Sequence, residues 1–372
     1  KQIRINMNKI AKVLLTLFAS VAFASTMVVA GEVSVTGSAV ASYRIDSSDS
    51  TSGASDTGKA LGITNELTFG ASGELDNGWS WSYATELDSG AATTSGAGID
   101  DTQIKITTDM GTVGIMVSEG SLRGGAYGWD VTANGAGSDN GAGGSGIWGT
   151  ELSSWNNLQY STPSGMLPFG LVVSAGQSIG GGTAINSKNA GGAAVSQAIT
   201  NGTATVAPAF VTDEVTQYQI VAAPIDGLTV KADYLDVGGV GGTAVEQTPE
   251  EGHISAKYTF AGMPVSIGYG RGWIAHGISD DGGDVVESTE NTSMGIGFTV
   301  NENLSVSYSQ EESNRSFATA ATAEVELAVT SLQAAYTMGG MTFSVSLDDI
   351  ENSGYTQDKD QNEALFNLAL AF

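Results

Sequence analysis

Apolar and polar side chains alternate with a period of two along most of this sequence, and this alternation limits the folds that the chain can adopt. In residues 228–234, Leu, Val, Ala and Tyr occupy one parity, and Thr, Lys and Asp occupy the other. Residues 254–260, 294–300 and 341–347 repeat the pattern. Successive side chains of a β-strand point to opposite faces of its sheet, so each run predicts a strand with one apolar and one polar face. The sequence therefore indicates an all-β protein.

The predicted strands are joined by connections that alternate between short and long. Short turns such as 76–78 and 301–303 alternate with Gly-, Ser- and Asp-rich segments such as 119–153 and 178–212. Short turns at one rim and long loops at the other are typical of a transmembrane antiparallel up-and-down β-barrel. We predict about 16 strands, an even number that places both termini at the periplasmic rim. Their ranges are 32–45, 59–75, 78–88, 102–110, 112–118, 154–162, 169–177, 213–223, 228–237, 252–261, 263–271, 290–300, 303–312, 324–337, 340–349 and 361–372.

The composition excludes several functional classes. The 372 residues include 14 Lys and Arg against 40 Asp and Glu, which gives a formal net charge of -26. A nucleic-acid interface needs a basic face, which so few cationic side chains do not supply, and no nucleic-acid partner is expected. The absence of Cys excludes disulfide scaffolds, thiolate metal sites and cysteine nucleophiles. Only 15% of the residues are charged, against roughly 25% in soluble domains, so much of the surface is expected to face something other than water.

The amino terminus has the features of a secretory signal peptide. Lys9 and Lys12 precede an apolar run over residues 13–24, and cleavage motifs of small residues occur at 22–24 and at 28–30, of which the second is favoured. Residues 1–30 are therefore expected to be a signal peptide, with Met7 as the start and residues 1–6 outside the native chain. Residues 31–372 are expected to form the barrel. The first 30 residues contain four of the 14 cationic residues and none of the 40 acidic ones, so the exported chain is strongly acidic.

The polar parity of the predicted strands would line the inside of a barrel. It consists of Ser, Thr, Gln, Lys, Asp and Gly, which a dry core accepts only with hydrogen-bond partners, so a water-filled lumen explains it. A soluble secreted sandwich and a β-solenoid would also contain alternating strands, although no repeat of 20–50 residues supports the solenoid. The same parity directs four basic side chains toward the lumen: Arg44, Lys105, Lys231 and Lys257.

Three segments carry a resemblance to a known family. The chain ends in an alternating apolar run, 366–372, with a final Phe; its first strand opens with Val-Ser-Val-Thr-Gly at 33–37; and a long segment follows the fifth strand. The whole of residues 31–372 resembles the general porins of Gram-negative bacteria, which are trimeric barrels of sixteen strands, and particularly their acidic alphaproteobacterial branch. The resemblance implies an assembly signal at Phe366, Leu368, Leu370 and Phe372.

The resemblance also implies a location, a function and partners. The location is the cell outer membrane, and the function is passive diffusion of ions and small hydrophilic solutes through a water-filled channel. The partners are outer-membrane lipid and lipopolysaccharide, the outer-membrane assembly machinery, and two further copies of the chain in a homotrimer. The excess of acidic residues predicts a preference for cations.

In this family the loop between strands five and six folds into the barrel and narrows it. Here that loop is about 119–153, and its charged residues are Glu119, Arg123, Asp130, Asp139 and Glu151. Acidic loop residues facing the basic wall would set a transverse field that orients polar solutes. This sequence departs from the family because no single strand carries a cluster of Arg. The four acids could equally be solvated loop carboxylates, and Arg44 and Lys257 could equally bind lipid phosphate at a rim.

Further candidate sites are less defined, and no cofactor is expected. Asp280, Asp281 and Asp284 lie close together in a loop and could bind Ca²⁺, although the terminal Glu of a complete calcium loop is missing. A membrane hydrolase would have to use His253 or His276, the only histidines, and an enzyme is not favoured. Trp129, Trp148 and Trp155 could pack the constriction loop against the wall, or they could form a stacking path for sugars in a substrate-specific porin. A non-conducting surface adhesin or structural barrel is a further alternative.

Overall fold

The part of the chain that the structure describes contains a barrel of sixteen antiparallel strands. The structure is a computed structural model, and it describes residues 31–49, 57–88, 98–117, 120–138, 147, 156–178, 195–201, 204–212, 214–238, 245–276, 278–279, 286–318 and 324–372. The barrel strands are β1 (Glu32–Asp49), β2 (Thr57–Glu74), β3 (Ser80–Asp88), β4 (Gly98–Thr108), β5 (Gly111–Val117), β6 (Asn157–Ser161), β7 (Val172–Gln177), β8 (Glu214–Ile225), β9 (Leu228–Gly238), β10 (Glu250–Thr259), β11 (Val265–Ala275), β12 (Val286–Thr299), β13 (Leu304–Phe317), β14 (Glu326–Met338), β15 (Met341–Glu351) and β16 (Asp360–Ala371).

Each barrel strand pairs with the next, and β1 pairs with β16 to close the sheet. The closing register places Tyr43 opposite Phe366 and Ser42 opposite Asn367. At the end of this seam Gly37 and Phe372 exchange two backbone hydrogen bonds, of 2.8 and 3.0 Å. The predicted fold and strand number are therefore confirmed.

The two faces of the barrel differ in polarity as the alternation predicts. On the outward face, Ile254, Ile296 and Leu332 are apolar and between 47% and 55% exposed. On the inward face, Ser309 and Ser331 are polar and at most 1% exposed. The outside of the barrel is thus mainly apolar, and the inward face is mainly polar, with apolar exceptions such as Leu327 and Val329.

Several strands extend beyond their predicted ends at the rim that carries the long connections. The predicted strand 290–300, for example, begins at Val286 in the structure. In this extension Ser288 occupies the outward parity, next to Glu290 at the start of the predicted range. Since both faces are polar there, the alternation that identifies a strand in the sequence is lost.

Two short sheets lie in segments that the sequence predicts to be loops, and the prediction was wrong at these positions. Backbone pairing in both sheets is antiparallel, and both pairs carry a register shift. The two pairs are Val195–Asn201 with Ala204–Thr212, and Val245–Gln247 with Ile278–Ser279.

The predicted signal peptide, residues 1–30, lies outside the described residues. Within the described ranges, no helix has the length and apolar character needed to cross a membrane.

Glycines with positive φ close several of the short turns. Gly227, between β8 and β9, has φ of +82°, and Gly78, between β2 and β3, has the same value. A Cβ added at Gly227 would lie 2.3 Å from the carbonyl oxygen of Thr259, whereas one added at Gly78 would meet no atom within 4 Å. The two turns therefore share a backbone requirement and differ in packing.

We predict that Gly227→Ala destabilises the barrel more than Gly78→Ala. Both substitutions place a Cβ in the left-handed region, at a cost of about 1 kcal/mol, and only Gly227→Ala adds a steric clash. The measurement is the urea concentration at the midpoint of unfolding. Unfolding is monitored by the heat-modifiable mobility of the barrel on a gel. Equal midpoints for the two variants would contradict the packing described here.

Candidate functional site

The segment after β5 folds into the barrel lumen and lies along the inward faces of the later strands. We call residues 120–138 the inner loop. The backbone N–H of Leu122 donates to Gln217 Oε1 on β8 at 2.7 Å. The backbone N–H of Asn134 donates to Gln333 Oε1 on β14, also at 2.7 Å. The side chain of Asn134 accepts hydrogen bonds from Ser344 on β15 and Asn367 on β16. The inner loop thus follows the wall from β5 round to β16.

An apolar contact with wall glycines holds the middle of the inner loop. Trp129 is fully buried. A Cβ at Gly268 would lie 1.7 Å from the Trp129 carbonyl oxygen, and one at Gly270 would lie 2.5 Å from its ring. A Cβ added at Gly295 on β12 would lie 3.1 Å from Cζ3 in the six-membered ring of the same indole. The wall therefore accepts the loop because its residues at these positions have no side chain.

The inner loop also contributes to an apolar core inside the lumen. Ala126, Trp129 and Ala136 share one buried cluster with residues of the wall and of the following segment. The other members are Ile147, Leu327, Val329 and Ile350, with Tyr127 and Tyr355 packed against them. A buried Trp129 leaves no ring face for a passing sugar, which removes this residue from the predicted stacking path. Trp148 and Trp155 lie outside the described residues.

Buried charges join the start of the inner loop to the wall. Arg123 Nε lies 3.1 Å from Glu251 Oε1 on β10, and the Glu251 side chain is fully buried. The Gly125 N–H donates to Asp233 Oδ2 at 2.6 Å, and the other oxygen of Asp233 lies 2.7 Å from His253 Nδ1. Removing one member of a buried pair leaves an uncompensated charge, which is strongly destabilising. Arg123 is therefore an anchor of the loop in this structure.

The four predicted wall cations divide into two groups. All four are on the inward face, but Lys231 and Lys257 lie under the inner loop. Lys257 Nζ donates to the Asp130 carbonyl oxygen at 3.4 Å, and the Lys231 stem lies against Gly128. Arg44 on β1 lies 3.5 Å from Asp46 and 3.9 Å from Glu363, and Lys105 is on β4.

The predicted acids of the loop are only partly described. Asp130 Oδ1 accepts hydrogen bonds from the backbone N–H and the hydroxyl of Thr132, at 2.8 and 2.6 Å. Glu119, Asp139 and Glu151 lie outside the described residues, so their place relative to the lumen stays a prediction.

The inward faces of β1–β4, which we call the uncovered arc, carry exposed and half-buried residues, and none of the described ones is buried. On β2, the inward residues Ala60, Gly62, Thr64 and Glu66 are all exposed. A Cβ added at Gly62 would meet no atom within 4 Å. The open part of the lumen therefore lies between the inner loop and the uncovered arc.

Several acids that the sequence prediction did not assign lie on the uncovered arc, and two of them, Glu66 and Glu86, are neighbours across β2 and β3. Glu66 is exposed on β2, and Glu86 is partly exposed on β3. In the register, Glu66 is opposite Asp88 and Glu86 is opposite Thr68, so the two glutamates are diagonal neighbours on one face. Their parity placed them inward, but the sequence did not indicate which part of the wall stays open.

A second inward contact lies in the connection between β15 and β16. The Arg315 guanidinium on β13 lies 3.5 Å from the centre of the Tyr355 ring. The Tyr355 hydroxyl is 2.6 Å from Ser313 Oγ. The last connection therefore packs on the same side of the barrel as the inner loop.

The predicted calcium ligands Asp280, Asp281 and Asp284 lie outside the described residues. Within the described residues, no group of three His, Asp or Glu side chains is arranged to hold a metal ion.

Comparison with known proteins identifies the family. A family model described as Gram-negative porin matches residues 11–372. The chain belongs to the Gram-negative porin family. This porin is accordingly a β-barrel channel protein of the cell outer membrane.

Solved outer-membrane proteins share the fold of this porin. A loop-deletion form of OmpT of Vibrio cholerae has a TM-score of 0.64 at 12% identity, and the match covers 92% of this chain and 100% of the OmpT chain. A trimer form of OmpT has a TM-score of 0.57 at 12% identity, with the same coverage of both chains. The anion-selective porin from Comamonas acidovorans has 0.61 at 15%, covering 92% and 100%. OmpF of Salmonella typhi has 0.62 at 13%, covering 93% and 100%. Among curated proteins, no sequence matches this porin.

We predict that Gly268→Val displaces the inner loop, whereas Gly62→Val does not. The new side chain at Gly268 would overlap the Trp129 backbone, and the one at Gly62 projects into open space. The measurements are the rate of proteolytic cleavage within residues 120–138 and the channel conductance. Gly268→Val should raise the cleavage rate and change the conductance, and Gly62→Val should leave the cleavage rate unchanged. Equal cleavage rates in the two variants would contradict the docking of the loop on this wall.

Proposed function

We propose that this porin is a passive diffusion channel for ions and small hydrophilic solutes, with a preference for cations. The observation that carries this proposal is the partial filling of the lumen. The inner loop lies against the later strands, and Ala60, Gly62, Thr64 and Glu66 remain exposed on the facing wall. A barrel of sixteen strands is wide enough to hold both a packed loop and an aqueous passage.

Two features support the preference for cations. The sequence has 40 acidic residues against 14 basic ones. Three lumen cations are also engaged with other groups: Arg123 with Glu251, Lys257 with the Asp130 carbonyl, and Arg44 with Asp46. A neighbour of the same fold is described as anion-selective, so the sign of the preference has to come from the side chains of each protein.

We propose that this porin contacts the outer-membrane assembly machinery and forms a homotrimer. The last strand and one solved structure of the same fold support these partners. Phe366, Leu368 and Leu370 occupy the outward parity of β16, where lipid or the assembly machinery would contact them, and Phe372 follows the strand. A trimer form exists for OmpT of Vibrio cholerae, and we propose a homotrimer for this porin by analogy. Outer-membrane lipid and lipopolysaccharide would contact the rest of the apolar exterior.

A channel function is preferred here to a hydrolase. His253 is buried against Asp233 under the inner loop, and His276 Nε2 is 2.7 Å from Thr289 Oγ1. A triad needs a nucleophile hydroxyl, a His and an orienting carboxylate around an accessible substrate position. The buried His253 offers no such position, so we propose no catalytic residue.

The test is single-channel recording of the purified protein in a planar bilayer under a KCl gradient. We expect stepwise currents with a linear current–voltage relation and a reversal potential of cation sign. A protein that is folded and inserted but carries no current would contradict the proposal and would favour a plugged adhesin or structural barrel. Saturation of the current by one sugar would favour a substrate-specific porin.

A further inference from the structure

The position of the inner loop determines which wall residues can act on a passing ion. This inference rests on the proposed channel function. Inward side chains on the covered side are buried, as Gln217, Glu311 and Ser346 show at 0% exposure. Inward side chains on β2 are exposed from residue 60 to residue 66. A passing ion therefore meets the uncovered arc on one side and the inner loop on the other.

The charges of the two sides of the passage differ. The described part of the inner loop carries Arg123 and Asp130, and Arg123 is paired with Glu251 on the wall. The uncovered arc carries Glu66 and Glu86 as diagonal neighbours of an antiparallel pair, with a Cα separation of about 7–8 Å.

Two cations, Arg44 and Lys105, also lie on the described inward face of the uncovered arc. Arg44 lies beside Asp46 and Glu363, which neutralise it. Lys105 is opposite Ser82, four residues along β3 from Glu86, which is roughly 13 Å in an extended strand. Because this separation along the backbone exceeds the Debye length of about 8 Å at physiological salt, dissolved ions weaken the attraction between Lys105 and the two glutamates.

We propose that Glu66 and Glu86 are the residues that determine the charge selectivity of this porin. They act on passing ions from the open wall, and they favour small inorganic cations and protonated amines over anions. Two like charges beside a narrow aqueous passage raise the local concentration of counter-ions and lower that of co-ions. Among the described residues, the open wall carries both of these acids, whereas residues 120–138 of the inner loop carry one acid, Asp130.

The test compares two double variants that remove the same net charge. Glu66→Gln with Glu86→Gln removes the acids of the uncovered arc. Glu290→Gln with Glu312→Gln removes two acids on the outward parity of β12 and β13, where Glu290 is 57% exposed beside Arg271. Each purified protein is recorded in a planar bilayer under a KCl gradient.

The Glu66 and Glu86 variant should keep its stepwise currents while its K⁺ over Cl⁻ permeability ratio falls by at least about threefold, because one unit charge at about 7 Å in water changes the concentration of a single ion by about that factor and the variant removes two charges. The outward control should keep the ratio of the unmodified protein. An unchanged ratio in the first variant, or an equal fall in both, would overturn the inference and leave the channel function intact.

Two further measurements keep the outcomes distinct. Absence of current from the unmodified protein would overturn the channel function itself. If the double variant does not fold, the single variant Glu66→Gln replaces it, because Glu66 is exposed and Gln has nearly the same shape as Glu. A smaller fall in the permeability ratio of that variant would support the inference, and no change would overturn it.

Discussion

Closure of the sheet on itself is the constraint on which the rest of this structure depends. Lipid offers no partner for a backbone N–H or C=O group, so a sheet in a membrane must leave no open edge. Here β1 meets β16 over twelve residue pairs from Ser38 to Asp49, and Gly37 and Phe372 add two backbone bonds at the end of the seam. The closed sheet separates an apolar exterior from a polar interior. The alternation in the sequence is the consequence of that separation.

The inner loop converts a wide barrel into a narrower passage. Its docking combines glycines that make room for Trp129, an apolar cluster around Ala136 and Val329, and a buried ion pair between Arg123 and Glu251. These contacts lie on the side of β8–β16, and the passage is displaced toward β1–β4. The same docking explains why Lys231 and Lys257, although inward, face the loop, while Glu66 faces the passage.

The sequence predicts the barrel well because each strand carries its own alternation of apolar and polar residues. It fails where both faces are polar, as at Ser288, and in the hairpin that begins at Val195. The inward direction of Arg44 and Lys105 follows from parity and could be predicted. The pairing of Arg123 with Glu251 could not, because it joins residues that are far apart in the chain and depends on the path of the loop. For the same reason the sequence could not separate Glu66, on the open wall, from acids that the loop covers.

The accessibility of lumen residues to a water-soluble reagent shows whether the passage runs along β1–β4. The chain has no Cys, so a single Cys reports on one position. Thr64→Cys lies on the exposed inward face of β2, and Ser309→Cys lies on the covered wall at 1% exposure. We expect a water-soluble cationic thiol reagent to react rapidly with Thr64→Cys and to lower its conductance, and to react slowly with Ser309→Cys without changing its conductance. Equal rates at the two positions, or a faster reaction at Ser309→Cys, would contradict this path of the passage.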